Sequence, residues 1–266
     1  MNKKTMIAIS ALCAAVAFQS SAVESGIVGY QTVDAPAAGK FKAFAVQFEN
    51  IGESAQIAIP DLFACDNPKG AANGGLTTPD KIWLWDTEAS DWVKYYYRKV
   101  GTQAAVGWCK NGATVVTTDT VRTGDTVFFY RGDGGAATTL TLAGAVKPFA
   151  ASATYTTPTA GRFKFMAYPW PSAMSIADFD KYQGAPKGAA NGGLTTPDKI
   201  WLWDTEASDW VKYYYRKVGT QAAVGWCKLG ATTVTADTIP AGEGFFFYRG
   251  DGAAVDTITF TPPVAE

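Results

Sequence analysis

Apolar and polar residues alternate along most of the chain, which is the pattern of strands with one buried face. Clusters of Gly, Pro, Asn and Asp separate these runs and supply turns. About eight short strands in roughly 120 residues are typical of a β-sandwich of antiparallel sheets. Short helical turns are expected at Pro60–Phe63 and Ile176–Phe179. In the first part of the chain, the predicted strands are Ile27–Val33, Lys40–Phe48, Lys81–Asp86, Trp92–Lys99, Ala105–Cys109, Thr114–Thr118, Thr126–Arg131 and Thr138–Ala143.

The chain repeats itself. Residues 68–110 recur without a substitution at 186–228, and weaker similarity continues on both sides of this block. A long self-match marks tandem domains. We therefore expect an all-β protein with two tandem β-sandwich-like domains, at 23–145 and 146–266. Any site inside the identical block exists twice, which allows bivalent binding.

The first 22 residues have the features of a cleaved signal peptide. Lys3 and Lys4 precede the apolar run Met6–Phe18, and Ser20–Ala22 offers small residues for cleavage. No later segment is apolar over the roughly 20 residues that a membrane helix needs. We expect a protein without membrane insertion that is secreted and extracellular, lies at the cell surface, or stays in the periplasm.

An aromatic hairpin is the most prominent candidate site. If Trp85 lies opposite Trp92, side-chain alternation places one set of indoles, lysines and tyrosines on a single face. These rings either fill a core or form an exposed platform for sugar rings or a partner. A core position is the leading interpretation. The platform is kept as the alternative because both hairpin faces are apolar whereas a sandwich sheet usually buries one, so one face is left exposed or is covered by a loop or a neighbouring subunit. The candidate ligand-binding residues are Trp83, Trp85, Trp92, Lys94 and Tyr96, with Trp201, Trp203, Trp210, Lys212 and Tyr214 in the second copy.

Composition and charge argue against several kinds of function. The net charge of −1 gives no electrostatic reason to expect a nucleic-acid partner. The absence of histidine removes the commonest general base and the usual zinc hydrolase sites, so we expect no enzyme, no catalytic residue and no cofactor. Asp86 and Asp91 are the only sequence-local pair for a carboxylate glycosidase. With Glu88 they match no calcium-loop spacing, so a solvated loop is expected and no metal.

Two further motifs call for an interpretation. Cys65 and Cys109 are the simplest disulfide pair in an oxidising compartment, which leaves Cys227 without a partner. Arg131–Asp133 and Arg249–Asp251 spell the tripeptide that integrins bind, but Asp-Gly is also ordinary hairpin chemistry.

The order of the motifs Gly29-Tyr30, Trp85-Asp86 to Trp92 and Gly242 to Phe246 resembles repeated domains in exported bacterial proteins with no assigned function. The resemblance implies a bacterial surface location. We expect a non-enzymatic protein with an adhesive or structural, self-associating role, whose partner is a polysaccharide or a protein surface. The alternative is a tandem carbohydrate-binding module that uses the aromatic hairpin face.

Overall fold

Ten parts of the chain are described by the computed structural model. The described residues are 28–50, 56–62, 68, 70–72, 79–100, 106–133, 139–146, 152–190, 197–218 and 224–263. The predicted signal peptide at 1–22 and Cys65 lie outside them. Below, the N-terminal half means the described residues up to Val146, and the C-terminal half means those from Ala153 onward.

The N-terminal half consists of strands and one short helix, α1, at Ile59–Leu62. Its strands are β1 Val28–Asp34, β2 Phe41–Ala45, β3 Phe48–Glu49, β4 Gln56–Ala58, β5 Ala71–Ala72, β6 Lys81–Asp86, β7 Asp91–Val100, β8 Gly107–Lys110, β9 Thr120–Arg122, β10 Thr126–Tyr130 and β11 Thr139–Val146.

The C-terminal half has the same character, with a 3-10 helix at Ile176–Lys181. Its strands are β12 Ala153–Thr156, β13 Phe163–Ala167, β14 Met174–Ser175, β15 Ala189–Ala190, β16 Lys199–Asp204, β17 Asp209–Val218, β18 Gly225–Lys228, β19 Thr238–Ile239, β20 Gly244–Tyr248 and β21 Thr257–Phe260. The protein is nearly all-β, as predicted, and the short helices lie where single helical turns were expected.

Each half is organised around one six-stranded main sheet. The order in the N-terminal half is β2-β10-β6-β7-β5, with β8 also paired to β7, and the C-terminal half repeats it as β13-β20-β16-β17-β15 with β18. Neighbouring strands are antiparallel, apart from the parallel pairs β5–β7 and β15–β17. Smaller sheets complete each half: β1-β11-β3 and β4-β9 in the first, β12-β21 and β14-β19 in the second.

One face of each main sheet packs against the smaller sheets of its own half. In the N-terminal half, Phe44, Ile82 and Phe129 from the main sheet meet Val121 and Leu140 from the smaller sheets in one buried cluster. An equivalent cluster in the C-terminal half contains Ile200, Phe247 and Phe260. These two cores leave the second face of each main sheet to be covered by something else.

The predicted register of the aromatic hairpin is confirmed. Trp85 lies opposite Trp92, and Trp83 lies opposite Lys94, with the same pairing in the C-terminal half. The hairpin turn needs a left-handed residue at Ser90, which has φ 53°. Asp86 stabilises this turn because one carboxylate oxygen accepts hydrogen bonds from the backbone N–H groups of Glu88 and Ala89, each at 2.9 Å.

The predicted strand at Thr114–Thr118 is wrong. This segment runs beside β8 with one backbone bond, in which the Thr117 N–H donates to the Trp108 carbonyl, and Val115 is exposed. The next strand begins only at Thr120. Alternation alone predicted a strand, but no neighbouring strand offers a full ladder of hydrogen bonds here.

Within the described part of the chain, no helix combines the length and the apolar character needed to cross a membrane.

The Arg-Gly-Asp tripeptides have a structural role. Arg131 is buried, and its guanidinium lies 2.9 Å from a carboxylate oxygen of the fully buried Asp80. The other oxygen of Asp80 accepts the Gly132 N–H at 2.7 Å. Arg249 and Asp198 repeat the pair at 2.8 Å. The arginine side chains are therefore used inside the fold and are not presented to a receptor.

We predict that Asp80→Ala lowers the free energy of unfolding by about 3–5 kcal/mol, because it leaves the Arg131 guanidinium buried without its carboxylate. Asp198→Ala is expected to do the same in the C-terminal half. Urea unfolding followed by circular dichroism measures both. The control is Lys228→Ala, which breaks an exposed ion pair of 3.7 Å with Asp237 and should cost less than about 1 kcal/mol. An Asp80→Ala loss no larger than that of the control would contradict this role.

Candidate functional site

The aromatic face of each main sheet packs against that of the other half. Each face combines indoles from the hairpin with phenylalanines from the two strands beside it. We call the resulting cluster the aromatic interface. Its residues are Phe41, Ala43, Trp83, Trp85, Trp92 and Phe128 from the N-terminal half, with Phe163, Phe165, Trp201, Trp203, Trp210 and Phe246 from the C-terminal half.

Ring contacts across the aromatic interface occur in equivalent pairs. The Trp85 ring lies edge-on to Phe246 with centroids 5.1 Å apart, and Trp203 lies edge-on to Phe128 at 5.0 Å. Edge-to-face pairs of this kind stabilise an assembly beyond the apolar area that they bury. The two halves are therefore related by an approximate twofold axis through the interface.

Hydrogen bonds across the interface follow the same symmetry. Nε1 of Trp85 donates to the Phe163 carbonyl at 2.9 Å, and Nε1 of Trp203 donates to the Phe41 carbonyl at 2.9 Å. The same exchange of roles holds for the backbone, where Ala45 N–H donates to the Gly242 carbonyl and Ala167 N–H to the Gly124 carbonyl, both at 2.9 Å. Reciprocal bonding of this kind defines an isologous interface, here between two halves of one chain.

Charged groups line the edge of the interface. Lys40 donates from Nζ to the Glu206 carbonyl at 2.8 Å, and Arg162 donates to backbone carbonyls of the opposite hairpin loop and to Ser90 Oγ at 2.9 Å. The acidic loops are therefore fastened to the other half. No group of three or more His, Cys, Asp or Glu side chains in the described ranges is arranged to hold a metal ion.

Two partly buried carboxyl groups face lysines of the opposite half. Burial raises the pKa of Asp125, and the nearby Lys164 ammonium opposes that rise. Burial likewise raises the pKa of Glu243 against the opposing effect of Lys42. Burial also lowers the pKa of Lys164 itself. These two cross-half pairs again obey the approximate twofold axis.

The rest of the predicted hairpin face lines a small pocket beside the interface. In the N-terminal half this pocket has a volume of about 220 Å³ and is lined by Lys81, Trp83, Lys94, Tyr95, Tyr96 and Asn111. The equivalent pocket of about 90 Å³ is lined by Lys199, Trp201, Lys212, Tyr213, Tyr214 and Leu229. Five of the six positions are identical, and the sixth is an amide in one pocket and an aliphatic side chain in the other.

Lysine ammonium groups lie over aromatic rings in both pockets. Nζ of Lys94 is 4.8 Å from the centroid of the half-buried Trp83, and Nζ of Lys81 is 4.5 Å from that of Tyr130. Burial lowers the pKa of Lys81, as it does for Lys199. Among the described residues, no carboxylate oxygen lies within 4.0 Å of Lys81 or Lys94. Asp133 acts on Lys81, and Asp251 on Lys199, in the sense that opposes this fall of the lysine pKa. The pockets therefore combine an indole with two cations that form no ion pair with a described carboxylate.

The structure divides the predicted site residues into two groups. Trp85, Trp92, Trp203 and Trp210 pack in the aromatic interface, whereas Lys94, Tyr96, Lys212 and Tyr214 line the pockets. Trp83 and Trp201 belong to both. Sequence reasoning omitted Lys81, Tyr95 and Asn111 from the site, and likewise Lys199, Tyr213 and Leu229 in the C-terminal half. The register could have identified Lys81, because it lies opposite Tyr96 on the same face.

Both described cysteines are buried thiols. Cys109 and Cys227 occupy equivalent positions on β8 and β18, and each Sγ lies 3.7 Å from a glycine carbonyl oxygen. The predicted partner Cys65 lies outside the described residues, so the disulfide with Cys109 stays a prediction. The matching environment of Cys227 shows that this position accommodates a free thiol.

We predict that Trp85→Phe lowers the free energy of unfolding by about 1–3 kcal/mol, because the Phe163 carbonyl loses its indole donor inside the interface. Trp203→Phe is expected to match it. The control is Trp83→Phe, which removes a similar ring area. The indole N–H of Trp83, unlike that of Trp85, has no acceptor among the described residues. In urea unfolding, the loss in free energy of unfolding should be smaller for Trp83→Phe than for Trp85→Phe by about 1 kcal/mol. Equal losses for the two variants would show that the indole hydrogen bond is not important.

No family model matches this chain, and neither the curated proteins nor the solved structures contain a match to it. The geometry of its own residues is therefore the basis on which a function is assigned.

Proposed function

We propose that this is an exported, non-enzymatic structural or adhesive protein that self-associates through its aromatic faces. In this proposal a cleaved signal peptide precedes two β-sandwich domains, and the mature protein is extracellular or attached to the cell surface. The observation that carries the proposal is the aromatic interface, in which the hairpin face binds a protein surface equivalent to itself.

The symmetry of the interface supports self-association. Each half offers an indole donor and an acceptor carbonyl, so either half can bind the complementary half of another chain. Such an exchange closes into a dimer when two chains swap both halves, and it extends into a polymer when the pairing does not close. Pairing within one chain is favoured at low concentration because the linked halves have a high effective concentration.

A large apolar face supports the same conclusion. An opened chain would expose six indoles and several phenylalanine rings, and aromatic side chains bury about 150–250 Å² each when packed. Exposed apolar patches of this size mark protein contact sites. An opened chain therefore has a strong tendency to pair again, either with itself or with a neighbour.

The hydrogen bonds of Asp86 and Asp91, the only sequence-local pair for a glycosidase, support a non-enzymatic role. Asp86 accepts the turn N–H groups described above, and Asp91 accepts the N–H of Trp92 at 2.7 Å. Both lie in an exposed hairpin turn with the carboxylates directed at the backbone. Their hydrogen bonds account for their presence as turn-stabilising groups.

We predict that chains exchange halves when they are concentrated. Isotopically heavy and light chains, mixed at high concentration and warmed below the unfolding midpoint, should form dimers of mixed mass in native mass spectrometry. The fraction of mixed dimers should rise with protein concentration, because exchange between chains competes with closure within one chain. Chains incubated separately and mixed just before measurement are the control. A protein that stays monomeric at every concentration would contradict self-association.

The twin pockets favour a second candidate, a bivalent carbohydrate-binding protein. Trp83 with Lys94 and Tyr96 provides an aromatic ring, a cation and a phenol at one small site, and the C-terminal half repeats the set. The two ammonium groups of each pocket favour an acidic sugar, because hydrogen bonds between an ammonium and a carboxylate are stronger than those between neutral groups. The Asn111 amide adds a polar group that Leu229 lacks, so the N-terminal pocket is expected to bind more tightly.

We predict that an oligosaccharide of uronic acids shifts the intrinsic tryptophan fluorescence in a saturable way. Lys94→Met combined with Lys212→Met should abolish the shift, because it removes one cation from each pocket and keeps an unbranched apolar side chain. Asn111→Leu should weaken the stronger site by about fivefold, the effect of one lost hydrogen bond. A neutral oligosaccharide of the same length is the control. An unchanged shift in the double lysine variant would exclude these pockets.

A further inference from the structure

One glycine in the aromatic interface is not explained by its backbone. Gly244 begins β20 in ordinary strand conformation, and its φ lies outside the left-handed region that favours glycine. Thr126 occupies the equivalent place at the start of β10, since Thr126 pairs with Ala45 and Gly244 pairs with Ala167. Nothing in the local backbone therefore requires the two halves to differ here.

The contact between Gly244 and Thr126 does require the two halves to differ at this position. A Cβ atom at Gly244 would collide with Cγ2 and Oγ1 of Thr126, far inside the closest separation of real Cβ contacts. Thr126 is 3% exposed, so its side chain has little space into which to move. Equivalent positions of the two halves thus meet near the approximate twofold axis, and only one of them can carry a side chain.

At a second position the larger side chain belongs to the C-terminal half. Ala43 on β2 and Phe165 on β13 hold equivalent places, each buried in the aromatic interface. Phe165 reaches across to Trp92, with ring centroids 5.6 Å apart, and to Phe128 at 6.0 Å. The N-terminal half therefore contributes a larger residue at one position and a smaller one at the other, and the C-terminal half has the complementary sizes.

We infer that these residues make the interface selective for unlike halves. Pairing of two N-terminal halves would set Thr126 against a second threonine. It would also place alanine at both copies of the position that holds one alanine and one phenylalanine in the observed interface. Two C-terminal halves would leave a gap at Gly244 and bring two Phe165 rings to the same region. Overpacking and cavities of this kind both destabilise a closely packed contact. The surface therefore binds the complementary half, from its own chain or another, and rejects a like half.

The inference extends the proposed function, because it determines which assemblies can form. If chains exchange halves, every contact joins an N-terminal half to a C-terminal half. The products are then a closed dimer or a head-to-tail chain with one direction. Assemblies in which like halves pair are excluded.

The test is a pair of substitutions measured within single chains. Gly244→Thr places threonine against Thr126, and we expect the halves to separate more often. Hydrogen exchange of the Ala45 and Ala167 amides, which donate across the interface, should accelerate at least about tenfold. The C-terminal sheet itself should accommodate the new residue, because the N-terminal sheet already carries threonine at the equivalent place.

The double variant Thr126→Gly with Gly244→Thr reverses the two sizes and restores their complementarity. Its amide exchange should return to within about threefold of the unmodified protein, which is a positive coupling between the two sites. Thr126→Gly alone leaves a gap and should accelerate exchange less than Gly244→Thr does. A double variant as fast as Gly244→Thr, or a Gly244→Thr variant with unchanged exchange, would overturn the inference.

This readout does not depend on assembly between chains. A protein that forms no mixed dimers but shows rescue in the double variant would contradict self-association and support selective pairing. Mixed dimers without rescue would contradict the selectivity alone. Slow exchange of core amides such as Phe129 in every variant checks that the separate sheets stay folded.

Discussion

The structure depends on the burial of two aromatic sheet faces against each other. Each main sheet is apolar on both sides, and the smaller sheets of its own half cover only one of them. Antiparallel sheets usually leave their second face polar and solvated, so a second apolar face requires a partner. Here the partner is the other half of the chain. The layers therefore run from the smaller sheets of one half, through two main sheets, to the smaller sheets of the other. The proposed self-association follows from the same requirement, because either half needs an equivalent face to cover it.

Apolar burial alone would not fix how the halves meet, since the hydrophobic effect is not directional. The orientation comes from polar groups. Indole N–H groups of Trp85 and Trp203 reach carbonyls of the opposite half, and two backbone bonds join strand ends across the axis. Sliding one face over the other would break these bonds and leave buried polar groups without partners, which would lower the stability of the interface. The aromatic rings supply most of the burial, and a few hydrogen bonds select one arrangement.

Much of the fold could be predicted from the sequence, and the limits have physical causes. Period-two alternation and the short hairpin loop specify the register of Trp85 with Trp92. The same alternation predicted a strand at Thr114–Thr118, where a single backbone hydrogen bond to β8 takes the place of a ladder. It could not decide whether the indoles are exposed, in a core or against a partner, because each of these places requires the same apolar residues. The Arg-Gly-Asp tripeptides show the same limit: the pairing of Arg131 with Asp80 joins residues far apart in the sequence.

The symmetry of the interface also explains where the two halves differ. Away from a twofold axis, a residue contacts a different residue of the partner, so identical sequences satisfy both sides, as Trp85 and Trp203 do with the Phe163 and Phe41 carbonyls. Close to the axis, a residue meets its own equivalent, and at this position the space between the two strands holds only one side chain. Thr126 and Gly244 meet in this way, and both lie outside the block that is identical in the two halves. A single chain that contains both halves can use unlike residues there, which a dimer of identical chains cannot. Covalent linkage of two copies therefore permits closer packing at the axis than duplication of an unchanged sequence would allow.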